Sequence, residues 1–219
     1  PGYYFMDSPG NDLEAIGGQV GAGCNLIVFI TGNGSVTNFP FVPTLKITTT
    51  TRRHQLLINE MDINAGRYLD GESLESLTDE SLNLLIATAS GQRSKGELAG
   101  HSQSSLWRNW QQQDGRNLQA LRTREVPSGQ PLIPSRDAPE NPIATERVGL
   151  VLPTSMCSSQ IARMAVNRLN DGPHAAQLGL SRFVALPHSE GCGFGGETMY
   201  RTLCRTYHGY ATHPNVSAA

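Results

Sequence analysis

The chain has 219 residues, 38% of them hydrophobic, which suffices for a buried core in one domain or two small ones and excludes disorder as its default state. With 17 Lys and Arg against 19 Asp and Glu the net charge is −2, so no strong field attracts nucleic acid or an anionic membrane surface, and binding must come from local sites. No apolar run approaches the roughly 18 residues of a membrane span, so a soluble protein is expected, and four scattered cysteines read as reduced thiols point to a cytoplasmic location.

The sequence opens at Pro1 on residues that read as the interior of a domain, so a piece of a longer chain is expected. Asn25 to Ile30 is an apolar, β-branched run bounded by glycines, which predicts a strand buried on both faces. Thr31 to Ser35 is then the loop at its carboxyl end. Thr44 to Thr51 alternates and predicts a second strand, with Lys46 and Thr48 on one face. Thr78 reads as the cap of a helix with Asp79 and Glu80 in its first turn. Leu82, Leu85, Ile86 and Ala89 follow at helical spacing, and Gly91 stops it.

From Gly91 to Arg147 the chain carries Gln111 to Gln113 and five prolines, and reads as a linker. Beyond it Val148 to Leu152 predicts a strand and Ser158 to Asn170 a helix with Ile161, Met164, Ala165 and Leu169 on its apolar face. Phe183 to Leu186 predicts another strand, Pro187 to Gly196 a loop, and Thr198 to Tyr207 a helix. The fold class is α/β, with Rossmann-like βα units of parallel sheet in two small parts joined by a long Pro/Gln-rich linker. The division is 1–95, 96–146 and 147–219. Neither part is large enough to stabilise itself comfortably, so each should pack on the other or on a partner chain.

Cys24, Cys157, Cys192 and Cys204 form no C-x-x-C pair, as expected of reduced thiols. The sequons at Asn33 and Asn215 are short patterns that recur by chance. His54, His101, His174, His208 and His213 have no chemical constellation around them and read as surface or packing residues.

Three loops begin where predicted strands end: Thr31 to Ser35, Pro153 to Ser159 and Pro187 to Gly196. In parallel sheets ligands sit at that edge, and small residues expose backbone N–H groups that can surround an anion, although the same glycines also simply permit tight turns. His188, Glu190 and Cys192 lie within five positions, and Cys157 lies at the equivalent place one strand earlier. These side chains could share a transition metal. Alternatively Cys157, at a helix N-terminus, could be a nucleophile, or the cysteines could be core fillers. Asp62 and Asn64 face one side if extended, yet a turn cap explains them as well.

Several of these segments carry a specific resemblance. Phe5 to Gly10, Gly23 to Leu26, Phe29 to Ser35, Pro43 to Lys46, Met61 to Gly66 and Ala89 to Gly91 resemble the C-terminal domain of the altronate and galactarate dehydratase family. Leu152 to Ser158 and Ala185 to Gly193 are similar to the start of that family's middle domain. Here the C-terminal-like part comes first, the reverse of the family's order, and Asn33 stands where the family loop usually reads Thr-Gly-Arg-Gly.

The resemblance implies a metal-assisted hydro-lyase that removes water from a sugar acid such as altronate or galactarate and leaves a 2-keto-3-deoxy acid. The implied cofactor is a divalent metal, iron or manganese, with no nucleotide. Lys46, His188 and Asp62 are the expected catalytic residues, with Lys46 or His188 as base or acid. Thr31, Gly32, Asn33, Gly34, Asn64, Thr154 and Ser155 would bind substrate, and Cys157, His188, Glu190 and Cys192 would hold the metal. The expected partners are the small-molecule substrate and the remainder of a longer chain or a homo-oligomer, with no nucleic acid and no membrane. The alternative is a non-catalytic sugar-acid-binding module of the same fold, which the loss of arginine at position 33 would suit.

Overall fold

A computed structural model describes residues 4–106, 144–191 and 196–219. Most of the expected linker, and Cys192 with its neighbours, lie outside the described residues.

In the first part, α1 (Asp12–Gly21) starts because the Asn11 side chain accepts from the N–H groups of Leu13 and Glu14, while Asp12 and Glu14 complement the helix dipole. Strands β1 (Ile27–Thr31), β2 (Thr44–Thr48) and β3 (Ile63–Asn64) form a parallel sheet in that order, with Ile27 opposite Thr44 and Ile47 opposite Ile63. Alternation puts Thr44, Lys46 and Thr48 of the central strand out of solvent together. The expected strand ends early, at Thr48, because the Thr50 hydroxyl caps α2 (Thr51–Leu56).

Helix α3 (Leu74–Ala89) begins a turn before the expected start. Ser73 caps it, and Thr78 sits inside it, donating its hydroxyl to the Leu74 carbonyl rather than capping. A short α4 (Lys95–Leu98) follows, closed by the capping box of Ser94 and Glu97.

In the second part, β4 (Val148–Val151), α5 (Met156–Asn170), α6 (His174–Gln177), β5 (Arg182–Ala185), α7 (Glu197–Ala211) and β6 (Val216–Ala218) give a second parallel sheet in the order β5-β4-β6. The short β6 has no sequence signature and exists because it pairs with β4. The two sheets establish the expected α/β class, and the strands in them pair in parallel throughout the described residues.

The parts share one core. Ile16, Val20, Ile27, Phe39, Phe41 and Val42 from the first meet Val148, Leu150, Val184, Leu186 and Tyr210 from the second. Phe39 and Phe41 meet edge to face at 5.1 Å between centroids, and Tyr210 stands 5.5 Å from Phe39. Such aromatic pairs add roughly 0.5–1.5 kcal/mol each beyond burial. Polar contacts lock the junction: the Tyr210 hydroxyl donates to the Gly17 carbonyl at 3.0 Å, Asn215 Nδ2 to the Phe41 carbonyl at 3.0 Å, and Arg182 to the Pro40 carbonyl at 2.9 Å. The His213 ring lies 3.1 Å from the Cys24 carbonyl, and burial lowers its pKa. Asn215, half of a sequon, is thus a fully buried junction residue, a placement incompatible with a glycan in the folded chain.

Two expected faces are corrected. Strand β1 is not buried on both sides, since Ile27 and Phe29 face the shared core while Val28 and Ile30 are 45% and 66% exposed. With Leu45, Ile47, Ile63 and the Leu77, Leu82 and Leu85 side of α3 they line an apolar groove of about 600 Å³. On α5 the buried residues are Ser159, Ala162 and Val166, whereas Ile161 and Met164 are exposed. Ala162 and Val166 pack on Ala185 and Phe183, where small side chains let the helix lie close to the sheet.

Candidate functional site

The carboxyl ends of β4 and β5 bring two of the three expected loops together. The Met156 N–H donates to the Glu190 carbonyl at 2.7 Å, and the Ser159 hydroxyl stands 3.3 Å from both the N–H and the carbonyl of His188. This follows from the pairing of the two strands, which places the loops after them side by side.

His188, 6% exposed, is the centre of that seam. Its Nδ1 accepts from the Glu190 N–H at 3.1 Å, which assigns the hydrogen of a neutral ring to Nε2. Nε2 is 2.9 Å from the Pro153 carbonyl and 2.8 Å from the Tyr207 hydroxyl, and that hydroxyl donates to the same carbonyl. One imidazole thereby ties the loop after β4, the loop after β5 and α7. Tyr207 had no signal in the sequence: it lies 19 positions from His188, and only the packing of α7 brings it there.

Burial pushes the Tyr207 phenol up to about 12 from an ordinary value near 10, and drives Tyr210 upward as well. Both are neutral in folded and unfolded chains below pH 10. Above it the unfolded chain ionises first, so stability is full below 10 and is lost as pH rises from there through 12. Urea midpoints should fall as pH rises from 10 through about 12, and Tyr207→Phe should flatten that fall. An unchanged slope in the variant would remove Tyr207 as its source.

The remaining expected site residues distribute unevenly. Thr154 is exposed beside this seam, and Ser155 caps α5 with its N–H donating to the Ser158 hydroxyl at 3.2 Å. Cys157 is exposed in the first turn of α5, and Glu190 is half-buried. The first loop closes on itself: Thr31 Oγ1 accepts from the N–H groups of Gly34 and Ser35 at 3.0 and 3.1 Å, so those amides do not face an anion. Gly34 is suited to this turn by its φ of +84°. Gly32 and Asn33 are exposed. Ser35 reaches Asp12 of α1, and among the described residues no hydrogen bond ties this loop to the other two.

Lys46 and Asp62 meet far from solvent. Lys46 Nζ is 3.3 Å from Asp62 Oδ2, with the side chains 0% and 4% exposed. Asp62 also accepts from the Lys46 and Lys95 N–H groups, each at 2.8 Å. Lys46 is thus sealed from solvent against Asp62, and Asp62, the residue before β3, is a hub joining β2 and the start of α4. Asn64 is the turn cap, accepting from the Gly66 N–H at 3.0 Å and donating to the Thr51 hydroxyl.

Of the expected metal set, Cys157, His188 and Glu190 lie among the described residues. Both His188 nitrogens are engaged by protein groups, and among the described residues no three His, Cys, Asp or Glu side chains converge on a metal position. Cys192 lies outside the described residues. Among them, too, no helix is long and apolar enough to cross a membrane.

Residues 1–112 match the D-galactarate/altronate dehydratase C-terminal family, just over half of the chain. The chain belongs to that family. Residues 140–219 match the second domain of D-galactarate dehydratase/altronate hydrolase, so the C-terminal family region precedes the second-domain region here. The altronate dehydratase of Escherichia coli (strain K12) is 32% identical over 97 residues, 44% of this chain and 19% of that protein. The Bacillus subtilis (strain 168) altronate dehydratase is 35% identical over 92 residues, 42% and 18% of the respective chains. The (2R)-sulfolactate sulfo-lyase subunit beta of Chromohalobacter salexigens is 29% identical over 109 residues, 49% and 28%. The matched stretch thus spans about a fifth of the length of either altronate dehydratase. No solved structure matches the chain.

Proposed function

We propose that the chain is part of a hydro-lyase that eliminates water from a sugar acid such as altronate or galactarate to give a 2-keto-3-deoxy acid, working in the cytoplasm with the remainder of a longer polypeptide or a second copy. The observation that carries this is the occurrence of two regions of one dehydratase family on two parts that fold around one core. Elimination requires a base for the proton next to the carboxylate, stabilisation of the resulting enolate, and an acid for the departing hydroxide.

In this reading the seam after β4 and β5 is the reacting edge. Ser155, Cys157 and the first turn of α5 supply a positive helix end, and Glu190 is the carboxylate beside it. His188 holds the two loops in register through the hydrogen bonds of its ring.

The exposed Asn33 favours a second reading, in which the chain binds a sugar acid without turning it over. Calorimetry with sodium galactarate and sodium altronate, followed by a 2-keto-acid assay with Fe(II) or Mn(II) added, tests both. Binding of one acid but not of the neutral polyol is expected, with turnover by the chain alone far below that of a complete altronate dehydratase. Binding with no product at all supports the second reading. Absence of binding to either acid overturns both.

A further inference from the structure

Among the described residues four strands stand at sheet edges, β1 and β3 in the first sheet and β5 and β6 in the second. An open edge is a template for a further strand, and proteins guard it by brevity, charge or proline. Strand β3 has two residues and β6 three, while β5 starts on Arg182, paired with Glu146. Strand β1 runs five residues, Ile27-Val28-Phe29-Ile30-Thr31, with no charge and no proline. We propose that β1 is a dimerisation edge, where a second copy of this chain adds its own β1 antiparallel and joins the two first sheets into one.

The register of β1 on β2 fixes which backbone groups are open. The Ile27 N–H donates to the Pro43 carbonyl at 3.0 Å, so Ile27, Phe29 and Thr31 turn their backbone groups toward β2. Those of Val28 and Ile30 point to the side where no described strand lies. In an antiparallel pair, two outward-pointing residues that face each other exchange both hydrogen bonds. With a twofold axis beside Phe29, Val28 of one copy meets Ile30 of the other, and the axis repeats the pair. The Val28 and Ile30 side chains, both exposed, then stack across the new strand pair at roughly 5 Å between Cβ atoms.

The surface beside the edge argues for a second copy as the occupant. The axis stands normal to the sheet, so the two apolar grooves of about 600 Å³ come to lie side by side on one face. Val28, Ile30, Tyr68, Leu74 and Leu82 leave roughly 400–500 Å² of apolar surface open in each copy. One side of a standard interface buries about 800 Å², roughly 60% of it apolar, which is the same amount. No charged side chain lines the groove, and a net charge of −2 gives two copies little to repel. A parallel sheet is normally covered on both faces, and α3 leaves this one partly open. The surface lies on the opposite face of β1 from the shared core and is independent of the sugar-acid reading.

The test is sedimentation equilibrium of the whole 219-residue chain, with Ile30→Lys, Val28→Pro and, as control, Leu178→Lys at an exposed leucine of the second part. The unaltered chain and Leu178→Lys should be dimers at micromolar concentration. Ile30→Lys sets a charge into the apolar stack, and Val28→Pro removes an outward N–H without touching the ladder to β2, so each should weaken the dimer at least tenfold. Amide hydrogen exchange of the unaltered chain reads the edge directly. Val28 and Ile30 should be protected in the dimer and exchange freely on dilution to monomer, while Phe29 stays protected. A monomer throughout the micromolar range would assign the edge to another protein's strand or to the remainder of a longer polypeptide and overturn the proposal. So would a dimer equally tight in both variants, or Val28 and Ile30 amides whose exchange ignores dilution. If either variant fails to fold, the exchange result decides. None of these outcomes bears on galactarate binding, so the sugar-acid reading stands or falls on its own calorimetry.

Discussion

Replacing Lys46 by Met is expected to lower the unfolding free energy by about 3–5 kcal/mol, because it leaves a carboxylate in the interior without its cation. The Asp62 side chain is 4% exposed and its only charged partner within 4 Å among the described residues is Lys46 Nζ. For a chain of this size that loss corresponds to a fall in Tm of roughly 6–20 °C. Asp62→Ala should cost more than Lys46→Met, since it strands the buried ammonium and also the N–H groups of Lys46 and Lys95, which lose their acceptor. Asp62→Asn, which keeps an acceptor oxygen, should fall between wild type and Asp62→Ala. In the double variant Lys46→Met/Asp62→Asn the charge penalty is absent, so it should be more stable than Asp62→Ala. Urea unfolding followed by circular dichroism reads all four. A Lys46→Met variant within 1 kcal/mol of wild type would show that the pair is not a structural element and reopen a chemical role for Lys46.

The second large effect is expected at Gly209. A Cβ there would stand 2.0 Å from the Gly21 carbonyl oxygen and 2.8 Å from its carbon, so α7 would collide with the backbone of α1 rather than with a side chain that can rotate away. Gly209→Ala must therefore push the helices apart and loosen the layer of Ile16, Val20 and Tyr210 that both parts share. A loss of about 3 kcal/mol or more is expected, against a gain in helix propensity of at most about 1 kcal/mol. Gly21→Ala is the internal control: its Cβ would meet Tyr210 Cε1 at an ordinary 3.6 Å, and the variant should melt near wild type. If Gly209→Ala also melts near wild type, α1 and α7 do not pack as closely as described.

These two sites show how differently sequence and structure speak. Lys46 and Asp62 were both legible as unusual residues, one on a β-prone strand and one in a turn motif, and the resemblance drew them toward catalysis. Their meeting in the interior comes from β2 lying at the centre of the first sheet, beside the residue preceding β3, and no spacing along the chain encodes that. His188 was legible as a polar residue at a strand end. Its partners at Nε2 were not, since Pro153 and Tyr207 reach the ring from the loop after β4 and from α7. The apolar face expected on α5 failed because Ile161 and Met164 suggest a core stripe by hydrophobicity, whereas close approach to β5 selects the small residues Ala162 and Val166.

By itself the sequence determined the α/β class, the placement of most strands and helices to within a few residues, the family, and the pairing of the loops after β4 and β5. Those features rest on local physics: alternation and β-branching for strands, 3.6-residue periodicity and caps for helices, and the rule that consecutive parallel strands open their loops on one side. Only the tertiary structure decided that Thr31 to Ser35 closes on itself, that Lys46 is sealed against Asp62, and that Val28 and Ile30 line an open groove. Each of these depends on which side of an element faces a neighbour from a distant stretch of chain. Burial and hydrogen bonding across such contacts set the energies there, and a one-dimensional pattern carries no record of them.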